Sequence, residues 1–181
     1  MNTHQVKLYA YNPEWVIKFE RLKSWLNHAA SEFFADVQHI GSTSVPNMPA
    51  KDIVDVQCAI KSFSFIPQIQ EKLKPLGFTM MEGIKQDHVP FHEMDYFSPE
   101  WEKRLFKGVF EGQSYHIHLR LINSANWQFA LAFKKHISHH EKAKYAYIQL
   151  KERLVDAQVD AYHYCLLKDS FIDLMSLQFD T

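Results

Sequence analysis

A short stretch early in the chain combines small polar residues with a lysine, between two apolar runs. Gly41 is followed by the hydroxyl residues Ser42, Thr43 and Ser44, and Lys51 comes a few positions later. Glycine lets a ligand approach the backbone, and short hydroxyl residues offer N–H and O–H groups without bulk. A lysine adds a cation that can hold a further phosphate oxygen. These residue types in this order predict a phosphate-binding loop.

The strand expected after this loop carries a candidate metal-binding acid. Side chains alternate along a strand, so Asp55 and Gln57 share one face. The opposite, apolar face is formed by Val54, Val56, Cys58 and Ile60. Phosphoryl-transfer sites hold Mg²⁺ or Mn²⁺ on carboxylates, usually two or more, and Asp55 fits that role while the amide Gln57 takes the place of a second acid. In the alternative interpretation the loop is a simple turn and Asp55 pairs with Lys51.

A second polar face is expected on a later strand. His116, His118 and Arg120 alternate there with apolar residues. Two histidines at this spacing can ligate zinc or another transition metal, with a third ligand from elsewhere in the chain. We therefore expect this face and Asp55 to line one pocket. A distance above ~12 Å between the Asp55 carboxylate and the His118 ring would exclude such a pocket. The alternative is a half-exposed strand whose polar face meets water.

Periodicity and turn signals predict the elements that position these residues. Helices are expected from Asn12-Pro13-Glu14 onward and over residues 65–76, 124–136, 141–155 and 159–177; strands are expected over residues 37–40, 53–60, 78–81, 105–110 and 115–122. Residues 111–113 are expected to turn a hairpin between the last two strands. The order of helix, mixed sheet and helices predicts a single α+β domain over residues 1–181. Its sheet core is expected at about 37–122 and its C-terminal helices at about 124–177.

Composition excludes several classes of function. The formal net charge of −1 gives no strong nucleic-acid signal. The five glycines form neither a dinucleotide fingerprint nor a Walker loop. No apolar run has the ~20 residues of a membrane span, and the N-terminal residues lack the apolar core of a signal peptide. Two distant cysteines, Cys58 and Cys165, fit a reducing compartment, so we expect a cytoplasmic protein without a membrane partner.

Several segments together resemble one known family. They are YNPEW at 11–15, IGSTSVP at 40–46, AK at 50–51, IVD at 53–55, HIH at 116–118, the helical segment 127–133 and YIQLK at 147–151. On these segments the chain resembles the GrpB (UPF0157) family, within the polymerase-β-like nucleotidyltransferase superfamily. The resemblance extends over nearly the whole chain. It implies a nucleotidyltransferase-like mixed β-sheet with flanking helices and a C-terminal helical segment.

The resemblance also implies roles for individual residues. Gly41 and Ser42 match the Gly-Ser pair that holds a nucleoside triphosphate in the superfamily, and Asp55 matches a metal-binding acid. The nucleotidyl group would pass to an acceptor that the sequence does not identify, with Lys51 neutralising charge. A third metal ligand usually comes from a later strand, where this chain has His116 and His118. The turn residue Glu111 is a further candidate.

Three departures from the family and superfamily patterns bear on activity. Gln57 stands where the superfamily usually has a second acid. Asn47 and Asp52 replace a common glycine and proline, which should alter the stiffness of the loop. Residues 133–138 read FKKHIS, without the acid and arginine usual in the family.

Three functions therefore stay open at the level of sequence. The first is nucleotidyl transfer dependent on Mg²⁺ or Mn²⁺. The second is a non-catalytic nucleotide-binding or regulatory module on the same fold. The third is a metal-dependent hydrolase built on His116 and His118.

Overall fold

The structure, a computed structural model, describes residues 6–92 and 96–179. Within these residues five strands form one sheet and five α-helices pack around it, which confirms the predicted α+β class. In chain order the elements are α1 (Glu14–Ala29), β1 (Phe34–Ile40), β2 (Ile53–Ile60), α2 (Ile66–Leu73), β3 (Thr79–Met80), β4 (Arg104–Phe110), β5 (Gln113–Leu121), α3 (Ala125–His139), α4 (Glu141–Asp156) and α5 (Ala161–Ser176). Short 3₁₀ helices lie at Ser42–Ser44, Phe63–Phe65, Lys74–Leu76 and Pro99–Trp101.

Helix α1 begins where the sequence predicts and covers one face of the sheet. The Asn12 side chain accepts a hydrogen bond from the backbone N–H of Glu14, and Pro13 precedes the first helical residue. Proline loses no hydrogen bond at this position because its missing N–H has no partner in the first turn. The residues of the apolar stripe, Trp15, Phe19, Leu22 and Leu26, are all buried in the main core.

The sheet is mixed, with the order β1-β2-β5-β4-β3. Strands β2 and β5 run parallel at its centre, and the other neighbouring pairs are antiparallel. The hairpin between β4 and β5 turns on Glu111 and Gly112, both with positive φ, so Gln113 belongs to β5 rather than to the predicted turn. Two positive-φ residues are typical of the tight turn whose twist matches antiparallel strands.

The two faces of the sheet differ in composition, as the period-two patterns predict. Val54 and Val56 of β2, with Tyr115, Ile117 and Leu119 of β5, join the core beneath α1 and α2. The other face carries the polar residues of both strands. It is covered by the C-terminal helices, which makes Gln57 fully buried.

The C-terminal helices form a second apolar cluster against the loop after β1. Val45 and Met48 of that loop pack with Ile137, Tyr147 and Met175. Helix α3 extends to His139, three residues beyond its predicted end, and Ser124 is its N-cap residue. In the part of the chain that the structure describes, no helix combines the length and apolarity needed to span a membrane.

The buried His39 makes the stability of the fold depend on pH. Its ring stacks on Phe19, with centroids 4.8 Å apart, and its Nε2 lies 3.0 Å from the Thr43 hydroxyl. Burial, helped by the nearby Lys134, lowers the pKa of His39 from 6.5 to about 4. Between these pH values the unfolded chain holds the extra proton, so this contribution to stability is lost as the pH falls from 6.5 towards 4.

We expect His39→Gln to reduce the difference in unfolding free energy between pH 7.5 and pH 5. For the wild type, His39 should contribute roughly 2 kcal/mol to that difference. Urea unfolding of both proteins at the two pH values measures it. An equal loss of stability on acidification in both proteins would contradict this assignment.

Candidate active site

A cavity of about 460 Å³ opens on the polar face of the sheet. The sheet forms its floor, the Gly41–Thr43 segment forms one side, and residues of α3, α4 and α5 close it from above. Five cationic and three carboxylate side chains line it together with three histidines, His88, His116 and His118. Its volume lies within the range of small-molecule sites.

Asp55, His116 and His118 meet on the floor of this cavity. The parallel register of β2 and β5 pairs Asp55 with His116, and His118 follows on the same face. Asp55 Oδ1 lies 3.4 Å from His118 Nε2 and 3.5 Å from His116 Nδ1. The hypothesis that the two strands line one pocket is therefore confirmed. We call these three residues the triad.

Two members of the triad, Asp55 and His118, are held in the protonation states that bind metal. Although burial alone would raise the pKa of Asp55, hydrogen bonds with His116 and His118 keep that pKa well below its usual range. Burial lowers the pKa of His118 to about 4, against the opposing effect of Asp55. At neutral pH the carboxylate is thus ionised and the His118 imidazole is neutral, and metals bind those forms.

The donor set fits a divalent transition metal ion. One ligand atom from each triad residue can be chosen so that all three lie within 4.8 Å of one another. The Nδ1 atom of His118 is buried without a hydrogen-bond partner among the described residues. Two imidazoles and one carboxylate suit Mn²⁺, Fe²⁺ or Zn²⁺, whereas Mg²⁺ prefers oxygen ligands alone. Of the two ions expected from the sequence, Mn²⁺ therefore fits this triad better.

The hydroxyl residues of the loop divide between the cavity and the protein interior. Gly41, Ser42 and Thr43 line the cavity. The Ser42 hydroxyl accepts a hydrogen bond of 3.2 Å from Lys151, whereas the buried Thr43 hydroxyl is engaged by His39. The Ser44 hydroxyl donates to the Gly41 carbonyl at 2.7 Å, and Ser44 is not among the lining residues. The geometry thus favours Gly41 and Ser42 over Thr43 and Ser44 as ligand contacts.

Lys51 lines the cavity but does not form the alternative ion pair with Asp55. Its Nζ lies over the Tyr164 ring, 5.6 Å from the centroid. The candidate Glu111 lies in the β4–β5 turn and pairs with Arg21 at 3.6 Å, and it is not among the residues that line the cavity. The Asp52 carboxylate accepts a hydrogen bond from the Trp15 indole, pointing away from Asp55 as strand alternation predicts.

Two carboxylates of the cavity, Asp87 and Asp169, were missed at the level of sequence. Asp87 pairs with Arg120 at 2.7 Å and Lys103 at 2.5 Å, and it accepts a hydrogen bond from Asn126 at 3.0 Å. These cations hold its pKa far below the usual range although burial alone would raise it. Asp87 comes from the polar stretch between β3 and β4, which carries no periodic signal.

Gln57 is a structural residue of this face. Its amide donates to the Trp127 carbonyl of α3 at 3.2 Å, and its oxygen accepts from Arg120. The side chain that replaces the second acid is therefore committed to holding α3 against the sheet. With Asp87 already satisfied by its cations, Asp55 is the carboxylate that remains available to a metal at the triad.

The C-terminal helices add residues that the sequence analysis did not identify. Tyr147 of α4 and Tyr164, Cys165 and Lys168 of α5 all line the cavity. Lys168 stands over the Tyr164 ring at 5.1 Å from its centroid. Tyr164 and Lys168 are four residues apart and therefore lie on one face of the helix. This spacing was the only feature of the sequence that linked them.

The altered segment 133–138 contributes little to the cavity. Phe133 is its one residue among those that line the cavity. Lys134 instead donates to the His39 carbonyl at 2.8 Å.

Comparison with known proteins assigns the chain to a family. The family model described as "GrpB protein" matches residues 5–177. The chain belongs to the GrpB family. The nucleotidyltransferase superfamily expected from the sequence is consistent with this membership.

Curated relatives of this GrpB chain include longer proteins with two kinds of name. A "Dephospho-CoA kinase" of Mycolicibacterium paratuberculosis is 28% identical over 171 residues, which cover 87% of this chain and 42% of that protein. A "UPF0157 protein YqkA" of Bacillus subtilis is 27% identical over 171 residues, which cover 93% of this chain and 45% of that protein. The chain thus spans less than half the length of these relatives.

A solved structure shares the fold. The crystal structure of "conserved protein GrpB" from Enterococcus faecalis superposes with a TM-score of 0.75 at 24% identity, covering 95% of this chain and 96% of that one.

Gly41 is expected to be intolerant of a side chain. Its φ is +68°, and a Cβ there would lie 2.6 Å from Asp55 Oδ2. We expect Gly41→Ala to cost about 1 to 3 kcal/mol, because it combines backbone strain with displacement of the Asp55 carboxylate. Gly83→Ala is the matched control, since no atom lies within 4 Å of the added Cβ.

Urea unfolding of both variants against wild type measures the difference. The control should stay within about 1 kcal/mol of wild type. Equal stability of the two variants would show that the close approach of Gly41 to Asp55 is not a constraint.

Proposed function

We propose that this GrpB protein binds a nucleoside polyphosphate together with a divalent metal ion and transfers a nucleotidyl group to an acceptor. The observation that carries the proposal is that the triad and the Gly41–Lys51 loop border the same cavity. Triad residues would hold the metal, while Gly41 and Ser42 would contact the phosphates. The partner is expected to be a nucleoside triphosphate, as the superfamily resemblance implies.

The mixed lining of the cavity supports an amphipathic ligand such as a nucleotide. Trp101 and Phe129 line it and pack edge to face with ring centroids 5.3 Å apart, and Ile84, Phe133 and Ile172 also line the cavity. Aromatic and apolar side chains of this kind accept the face of a nucleobase. The triad and the cationic side chains that line the cavity provide the polar part for phosphates.

Residues of the chain would each contribute to transfer in a definite way. A metal held by the triad supplies charge neutralisation and orientation of phosphate oxygens. The oxygen of the acceptor hydroxyl would form a bond to the α-phosphorus while the bond to pyrophosphate breaks. The hydroxyl proton would pass to solvent, and the pyrophosphate would leave. The Lys51 ammonium would offset the negative charge of the reacting phosphates. The covering helices limit the access of water to this face of the sheet.

One observation favours the alternative of a non-catalytic nucleotide-binding module. Asp55 is the single carboxylate of the triad, and Gln57 occupies the place of a second one. Two-metal transfer sites need more carboxylate than this. Nucleotide binding without release of pyrophosphate would therefore support the non-catalytic module over the enzyme.

Loss of a triad ligand should weaken metal binding without unfolding the protein. We expect metal-stripped wild type to bind one equivalent of Mn²⁺ or Zn²⁺, and His118→Gln to weaken the affinity by more than about tenfold. His28→Gln, which alters an exposed histidine at the end of α1, is the control and should bind like wild type.

Isothermal titration calorimetry gives the stoichiometry and Kd, and thermal unfolding with and without metal reports the linked stabilisation. If His118→Gln and wild type bind the ion with the same affinity, the triad is not the metal site.

Nucleotide binding is expected to depend on both the metal and Asp55. Calorimetry with ATP, GTP, CTP and UTP should show binding that Mn²⁺ strengthens. Asp55→Asn should remove the metal-dependent part of the affinity, while Asp156→Asn, an exposed acid of α4, should not. Binding that ignores the metal in wild type would contradict the proposed site.

Release of pyrophosphate from the bound nucleotide then distinguishes transfer from simple binding. The acceptors to be offered include dephospho-CoA, because relatives that contain a similar segment bear the name dephospho-CoA kinase. Metal-dependent release that is lost in Asp55→Asn supports the enzyme. Saturable nucleotide binding without release with any acceptor supports the non-catalytic module.

A further inference from the structure

The charges that line the cavity are unevenly distributed. Five cationic side chains face three carboxylates. Two of the cations, Lys103 and Arg120, share one carboxylate, because both form ion pairs with Asp87. The remaining cations are Lys51, Lys107 and Lys168. Among the described residues, none of these three has a carboxylate oxygen within the 4.0 Å of an ion pair.

Register and helix packing bring these three lysines to one region beside the triad. Lys107 of β4 pairs across the sheet with His116. Lys51 lies just before β2, and Lys168 projects from α5. The ammonium groups of Lys51 and Lys168 approach the same ring, at 5.6 Å and 5.1 Å from the Tyr164 centroid.

The neighbourhood of the lysines is polar, and among the described residues no carboxylate forms an ion pair with them. The Tyr147 hydroxyl interacts with Lys168 and with Ser42, which links the lysines to the loop. Asp169 also lines the cavity; burial raises its pKa, and attraction to Lys168 opposes that rise without the contact distance of an ion pair. Burial and repulsion from Lys168 and Lys107 lower the pKa of Lys51. An anion placed between these cations would relieve that repulsion.

We propose that Lys51, Lys107 and Lys168 form an anion subsite that binds the terminal phosphates of a polyphosphate chain, next to the triad. The inference rests on the proposed function, because it concerns the nucleotide bound in that site. It predicts that this nucleotide carries at least two phosphates. It extends the contacts beyond the Gly41–Lys51 loop to β4 and α5. We expect a monophosphate to contact either the triad or the lysines, and a di- or triphosphate to contact both.

The subsite predicts that affinity increases with the number of phosphates even without metal. In the presence of EDTA, calorimetry should show tripolyphosphate binding at least about tenfold more tightly than inorganic phosphate. The series AMP, ADP and ATP should show the same order. Comparison of ATP with tripolyphosphate separates the two sources of the anion, because only a nucleotide site binds ATP more tightly.

Single neutral substitutions test the lysines individually. Lys168→Gln and Lys51→Gln should each weaken tripolyphosphate binding about tenfold or more, and Lys168→Arg should restore much of the loss. Lys142→Gln removes the same charge from an exposed position of α4 and should leave the affinity unchanged. Lys107→Gln provides a third test from a β-strand, should the α5 variant fail to fold.

The inference and the proposed function can fail separately. If tripolyphosphate and phosphate bind equally, or if Lys168→Gln, Lys51→Gln and Lys107→Gln all bind like wild type, the subsite does not exist. Metal binding by the triad and metal-dependent nucleotide binding could still hold in that case. If instead tripolyphosphate binds through the lysines but no nucleotide binds with metal, the subsite stands and the proposed function fails.

Discussion

The parallel pairing of β2 with β5 is the constraint on which the candidate site depends. It sets Asp55 beside His116 and leaves His118 one pleat further along, within 3.5 Å of the same carboxylate oxygen. A shift of one residue in this register would turn both histidines into the apolar core. The buried residues Tyr115, Ile117 and Leu119 oppose such a shift, so the packing of the hydrophobic core also fixes the donor set.

The rest of the structure closes a cavity over this arrangement. Gly41 allows the loop to pass within reach of Asp55, and Lys151 ties Ser42 and the Pro49 carbonyl to α4. Helix α3 is held to the sheet by Gln57, and α5 brings Lys168 over the cavity. Gln57, which stands where the superfamily usually has a second acid, therefore has a structural role, because it holds α3 to the sheet.

Local patterns were sufficient to predict the floor of the site but not its cover. Strand alternation predicted which faces Asp55 and the histidines occupy, and the Asn12-Pro13-Glu14 signal predicted the start of α1. Asp87 was not predicted, because it lies in a stretch without periodicity and its partners come from distant strands and helices. Lys168 was not predicted either, since helical spacing gives the face of a helix and not what that face covers. The Thr43 hydroxyl contacts the His39 ring, which stacks on Phe19 of α1, and no local rule describes this contact between separate elements.

The most direct test of the account is a crystal structure of the protein soaked with Mn²⁺ and a non-hydrolysable nucleotide, with anomalous data at the manganese edge. We expect one anomalous peak in coordination contact with Asp55, His116 and His118, at roughly 2.0–2.3 Å from their ligand atoms. The polyphosphate should run from that peak towards the lysines. A saturating soak that leaves the triad without a peak, or that places the metal elsewhere in the cavity, would contradict the account.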